Sequence, residues 1–218
     1  MKADPTRSSP TLGEKLSVYV IVSGRTRESL LEAVLAAGVR AIQFREKDMP
    51  LARQLERARR FREQCREVGA LFIVNDRLDL ALAVEADGAH VGQEDLPADV
   101  ARRLLGPDRI LGVSCATEEE ARIAIASGAD YLGTGPLYST SSKSDAGEPL
   151  GVGAVERICR GISVPVVGIG GIGPGRADPV IRAGARGVAV ISAVEDAPDP
   201  EAAARALLRE VQQAQAPR

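Results

Sequence analysis

Two aspartates, Asp76 and Asp95, follow neighbouring short apolar runs. A pair of carboxylates completed by substrate phosphate oxygens is the usual way a protein holds Mg2+. Arg45 and Lys47 stand in the run Gln43-Phe44-Arg45-Glu46-Lys47-Asp48, where two cations beside an amide suit a diphosphate or a heteroaromatic ring. Residues 139–147 read Ser-Thr-Ser-Ser-Lys-Ser-Asp-Ala-Gly, a hydroxyl-rich segment with one cation, Lys143, that could clamp a diphosphate as a lid. Gly170-Gly171 and Ile191-Ser192 offer backbone amides to a phosphate. Each cluster has a plainer alternative. Charges near residue 45 suit a solvated surface, either aspartate could cap a helix, and a Ser-rich run could be a flexible linker.

Other chemistry is less favoured. Cys115 follows Ser114 and Ala116 follows it, but no histidine lies nearby in sequence, which argues against a cysteine–histidine nucleophile. The one histidine, His90, falls inside an apolar run, where a hydrogen-bonded structural role is favoured over a general base. Net charge is −2 and aromatics make up 3% of the chain, which disfavours a nucleic-acid partner. Three widely spaced cysteines, Cys65, Cys115 and Cys159, fit free thiols in a reducing, cytoplasmic setting. No run of about 18 apolar residues is present, so no membrane span is expected. A homo-oligomer is compatible with all of this.

The elements that must position these groups alternate along the chain. Strands are predicted at 18–22, 41–45, 71–75, 88–91, 110–114, 131–133, 166–169 and 187–191. Several are apolar throughout, as when both faces of a parallel sheet are covered. Helical periodicity fills the intervals 28–37, 51–68, 78–86, 97–105, 118–127, 152–160, 176–183 and 201–213. Gly38, Gly69, Gly106, Gly128, Gly161 and Gly184 mark helix ends. Thr117 with Glu120 reads as a capping box, and Asp199-Pro200 as a cap followed by a first-turn proline. Eight strand–helix units predict a single-domain (β/α)8 barrel over residues 16–218, with residues 1–15 a disordered or loosely attached leader. A doubly wound open sheet lacks its glycine fingerprint after the first strand. In such a barrel the polar residues after the strands share one rim, so the clusters above should converge there.

Taken together, these residues resemble the thiamine-phosphate synthase family. The resemblance runs through residues 43–47, 72–76 with Arg77 and Asp79, 87–95, 112–114, 128–136 with 140–146, 165–172 and 184–193. It implies a transferase of thiamine biosynthesis, joining a hydroxymethylpyrimidine diphosphate to a thiazole phosphate after a dissociative loss of diphosphate. By position it implies that Gln43, Phe44, Arg45, Glu46, Lys47, Asn75 and Ser114 bind the pyrimidine substrate. Asp76 and Asp95 would hold Mg2+, and Lys143, with Arg45, Lys47 and Ser114, would act on the reacting groups. Thr140, Ser141, Ser142, Gly171, Ile191 and Ser192 would hold the thiazole phosphate. Three positions depart from the family's usual pattern: Ala116 where a histidine is common, Ser144 where a second lysine is common, and Arg176 where an asparagine is common. The alternatives are a thiazole tautomerase-like isomerase, which would want the histidine that Ala116 replaces, and a non-catalytic phosphate-binding regulator, which would not need both aspartates and Lys143.

Overall fold

The computed structural model describes residues 10–140, 142 and 147–216. The eight predicted strands form a closed parallel barrel in chain order. They are β1 (Val18–Val22), β2 (Ala41–Phe44), β3 (Leu71–Asn75), β4 (Gly88–Val91), β5 (Ile110–Cys115), β6 (Tyr131–Thr134), β7 (Val166–Ile169) and β8 (Gly187–Val190). β1 pairs with both β2 and β8, which closes the ring.

Side-chain alternation divides each strand between two apolar layers. In β1, Val18, Val20 and Val22 point outward into the layer beneath the helices, whereas Tyr19 and Ile21 point into the barrel. The inner layer also takes Ala41, Leu71, Ile73, Tyr131, Val167 and Ala189. Tyr131 fits because its register partner is Gly112, where an added Cβ would lie 2.1 Å from the tyrosine ring.

The outer shell is α2 (Glu28–Ala37), α3 (Leu51–Glu67), α4 (Leu78–Ala83), α5 (Ala98–Leu105), α6 (Glu118–Ala126), α7 (Val152–Cys159), α8 (Ala177–Arg182) and α10 (Pro200–Gln215). α3 shows how the sequence sets the packing: Gln54, Ala58, Phe61 and Cys65 lie on one helical face and are buried, while Arg53, Arg59, Arg60 and Arg66 are exposed. All six glycines expected at helix ends have positive φ. Asp199 accepts the Ala202 N–H, with Pro200 opening α10. The Thr117 hydroxyl accepts the Glu120 N–H, but the Glu120 carboxylate reaches the N–H of Ala116, one residue before the reciprocal position expected.

Two four-residue helices were not legible in the sequence: α1 (Leu12–Lys15) and α9 (Ser192–Glu195). Over residues 11–15 the structure differs from the leader reading. Thr11 and Glu14 form a reciprocal capping box, and Leu12 packs beside the inner layer next to buried Leu16. No helix among the described residues is long and apolar enough to cross a membrane.

Candidate functional site

A cavity of about 430 Å3 opens at the C-terminal ends of the strands. It gathers Arg45 and Lys47 after β2, Asn75 and Asp76 at the end of β3, Asp95 after β4, and Ser114 in β5. Across from these lie Thr140 and Ser142 after β6, Gly171 after β7, and Ile191 and Ser192 after β8. Residues spread over most of the chain thus meet in one place, as the barrel topology requires. Ser141 and Lys143 lie outside the described residues.

The acidic side is under electrostatic tension. Asp76 adopts a left-handed backbone, φ 59°, which is uncommon for a residue with a Cβ and marks a constrained position. Its N–H donates to the His90 carbonyl at 2.8 Å, tying the end of β3 to β4. Burial first, then a hydrogen bond and like-charge repulsion from Asp95, push its carboxyl from 3.8 up to about 6, against the lowering pull of Lys47 and Arg45. Neither aspartate serves as a helix cap: α4 and α5 begin after Arg77 and Pro97, with no side-chain cap on either. Asp95 instead accepts the Gly92 N–H through Oδ2 at 2.8 Å, which fixes its turn. The described cavity wall carries four carboxylates, Asp76, Glu94, Asp95 and Glu120, against the cations Arg45 and Lys47. An anionic ligand therefore needs further positive charge to settle here.

The opposite side is built from backbone. Gly170 and Gly171 have φ of 98° and 64°. A Cβ on Gly171 would come within 2.5 Å of the Ser139 carbonyl oxygen, so this loop and the one after β6 touch too closely for any side chain. Tyr138 N–H donates to Gly170 O at 3.1 Å, Arg176 Nη1 donates to Gly171 O at 2.8 Å, and the Arg176 guanidinium stacks on the Tyr138 ring. The Ser142 and Ser192 hydroxyls are 3.2 Å apart and join the loops after β6 and β8. Loops seven and eight with a short extra helix, here α9, make up the recurrent phosphate site of this architecture.

Two residues expected to contact substrate, Phe44 and Glu46, stand elsewhere, and a third, Gln43, lies beneath the cavity. Alternation along β2 turns Phe44 outward, where it meets the rings of Phe61 and Phe72 beneath the helices. Glu46 turns back to accept N–H groups of Gly24, Asp48 and Met49, bracing the loop that carries Arg45 and Lys47. Gln43 points inward but lies deeper than the cavity and is 3% exposed. It lines a pocket of about 30 Å3 that shares His90, Ser114 and Gly133 with the main cavity. Its Nε2 donates to the Tyr19 hydroxyl at 3.0 Å, and its Oε1 is buried without a partner among the described residues.

Gln43 opens a column of polar groups that sequence reading missed. The Tyr19 and Tyr131 hydroxyls are 3.0 Å apart, Tyr131 is 3.0 Å from His90 Nδ1, and His90 Nε2 is 2.9 Å from Ser114 Oγ. His90 is hydrogen-bonded on both ring nitrogens, in line with the structural role expected of it. The signal that could have exposed Tyr131 was Gly112, a gap in a neighbouring strand that only a large ring fills. Cys115 is buried and its thiol is pushed up to about 11 by desolvation, which suits packing rather than nucleophilic attack. Ala116 lines the cavity and brings no imidazole to it.

Comparison with known proteins agrees with this geometry. Residues 18–194 match a family model described as thiamine monophosphate synthase. The chain is 55% identical over 199 residues to the thiamine-phosphate synthase of Moorella thermoacetica, covering 89% of this chain and 94% of that one. It is 64% identical over 210 residues to the thiamine biosynthesis bifunctional protein ThiM/ThiE of Symbiobacterium thermophilum, covering 96% of this chain and only 44% of that longer protein. Among solved structures, a thiamine phosphate pyrophosphorylase from Pyrococcus furiosus superposes with a TM-score of 0.87 at 38% identity, over 94% of this chain and 100% of the other.

Proposed function

The chain belongs to the thiamine monophosphate synthase family and is an enzyme of thiamine biosynthesis, and from that premise we propose how its residues join a hydroxymethylpyrimidine diphosphate to a thiazole phosphate. The observation that carries the assignment is the placement of Asp76 and Asp95 together, facing a glycine-walled loop pair across one cavity. Two hard oxygen donors in a site with too little positive charge fit Mg2+, and Asp76 and Asp95 would hold it. When bound, Mg2+ supplies Lewis-acid neutralisation of the diphosphate.

The remaining work falls to the chain's own side chains. Arg45 and Lys47 bind the diphosphate and oppose the charge that collects on its oxygens as the bond to the pyrimidine methylene breaks. Asn75, at the end of β3, orients the same group, and the cation Lys143, outside the described residues, is assigned to it by the family resemblance. Ser114 meets the pyrimidine ring at the cavity floor, and the Gln43 Oε1 below it accepts a hydrogen bond from the ring's amino group. Thr140, Ser141 and Ser142 hold the thiazole phosphate from one side, and the backbone at Gly171, Ile191 and Ser192 holds it from the other. The attacking atom is the thiazole ring nitrogen, which already carries a lone pair, so no side chain has to act as a base. Ile169, Ala189 and Ile191, packed on the inner layer, wall the cavity with apolar surface and limit water at the electron-poor methylene.

The direct test is an end-point assay with purified protein, the pyrimidine diphosphate, the thiazole phosphate and Mg2+. Thiamine phosphate and diphosphate should appear in equal amounts. Recovery of both substrates unchanged would overturn the assignment.

A further inference from the structure

The polar column in the barrel core has a direction. Gln43 Nε2 can only donate, so Tyr19 Oη accepts from it at 3.0 Å. The single Tyr19 proton then points to Tyr131 Oη, 3.0 Å away. That leaves the Tyr131 proton for His90 Nδ1, also at 3.0 Å. An acceptor Nδ1 is an unprotonated one, and a neutral imidazole then carries its proton on Nε2. This Nε2–H donates to Ser114 Oγ at 2.9 Å, which leaves the serine's own proton for another acceptor. A doubly protonated ring would set an N–H against the proton that Tyr131 must donate. The reverse direction would require Gln43 to turn its carbonyl to Tyr19, which would flip every bond up to the serine.

We propose that His90 is a positioning residue, fixed as its Nε2–H tautomer by Tyr131, Tyr19 and Gln43 so that Ser114 is presented to the substrate as a hydrogen-bond donor. Tyr19 and Tyr131 are 1% and 0% exposed, so the column is shielded from water that could scramble its direction. The consequence for selectivity rests on the function proposed above. A substrate ring that offers a lone pair to Ser114 and an amino group to Gln43 Oε1 satisfies both ends of the column. An oxo analogue with a ring N–H at the same place sets a donor against a donor and leaves a buried polar group unpaired.

The chain has a single histidine, so nitrogen NMR of the isotope-labelled full-length protein reads this tautomer without ambiguity. The expected spectrum shows a pyridine-like Nδ1 and a pyrrole-like Nε2. Tyr131→Phe, which removes only the hydroxyl, should give a mixture of tautomers, and Tyr19→Phe is the second variant should the first fail to fold. A wild-type spectrum with the proton on Nδ1, or with mixed tautomers, would overturn the proposal. So would folded Phe variants that keep the wild-type tautomer. In kinetics, the wild-type preference in kcat/KM for the amino over the oxo pyrimidine diphosphate should fall about tenfold in Tyr131→Phe, the scale of one misdirected hydrogen bond. An equal loss on both pyrimidines would reduce His90 to a packing role. Because the spectrum needs no substrate, it decides the tautomer even if the chain makes no thiamine phosphate, an outcome that would sink only the function.

Discussion

Four aspartates, two at each end of the barrel, meet opposite electrostatic environments. At the N-terminal end, Asp130 pairs with Arg102 at 2.5 Å and accepts the Leu111 N–H, and Asp87 pairs with Arg62 at 3.3 Å and accepts the Phe72 N–H. Arg102 also donates to the carbonyls of Gly106, Arg109 and Gly128, so charges and strand starts satisfy one another. At the C-terminal end, Asp76 and Asp95 face each other, one on a left-handed backbone and with its carboxyl pushed up. The first arrangement is complete within the protein. The second leaves two carboxylates opposed, the arrangement that the proposed Mg2+ would complete. Stability and function are thus written at opposite ends of the same strands, and substitutions should separate them.

The largest effect should come from Asp95→Asn, which keeps the shape of the turn and removes a charge. Turnover should drop by about 10²- to 10³-fold, the scale of losing a transition-state electrostatic contact, with thermal stability unchanged or raised. A variant with near-wild-type turnover would dissolve the contrast between the two ends. Gly171→Ala comes next. A Cβ there meets the Ser139 carbonyl and a positive φ, so the phosphate loop must shift. KM for the thiazole phosphate should rise about tenfold while KM for the pyrimidine diphosphate holds. An equal rise in both would show that the two halves of the cavity are not separate.

Arg102→Met should do the reverse of Asp95→Asn. It strands Asp130 and three carbonyls, so the unfolding midpoint should fall by several degrees while kcat/KM stays within about twofold. Loss of activity in the still-folded variant would break the division of labour. The pH dependence of stability offers a sharper form of the same test. Burial and the neighbouring Asp95 raise the Asp76 carboxyl from its ordinary 3.8 to about 6 in the folded chain. Between those values the folded state binds more protons, so metal-free stability should fall as pH rises from about 4 to about 6 and level off above. Asp76→Asn should flatten that slope in thermal unfolding, and an unchanged slope would place the raised carboxyl elsewhere. The smallest effect is expected from Ser192→Ala, which removes one exposed hydroxyl contact with Ser142 and keeps the backbone. A KM change of about twofold is the expected reading, and a large one would move the phosphate contact from backbone to hydroxyl.

Much of this was legible before the structure. The strands announced themselves because both faces are covered and apolar runs of that length between glycine-stopped helices have few other uses. The rim residues followed from topology alone, since whatever comes after a strand shares the cavity. The failures have equally local causes. Reading residues 43–47 as one linear patch ignored alternation, which sends Phe44 outward and leaves Gln43 facing the barrel interior. Glu46 was lost to backbone amides, contacts that composition does not reveal. α1 and α9 are four residues each, too short for any periodicity to show. The column from Gln43 to Ser114 joins five strands, so no window of sequence contains it.

If the opposed carboxylates hold a divalent cation that completes a diphosphate site, Mg2+ must strengthen diphosphate binding. Calorimetric titration of inorganic diphosphate, with and without Mg2+, tests it without requiring turnover. Wild-type protein should bind diphosphate markedly more tightly with Mg2+, and Asp76→Asn and Asp95→Asn should each lose that gain while keeping the metal-independent binding owed to Arg45 and Lys47. The same Mg2+ dependence in all three proteins would remove the cation from between Asp76 and Asp95.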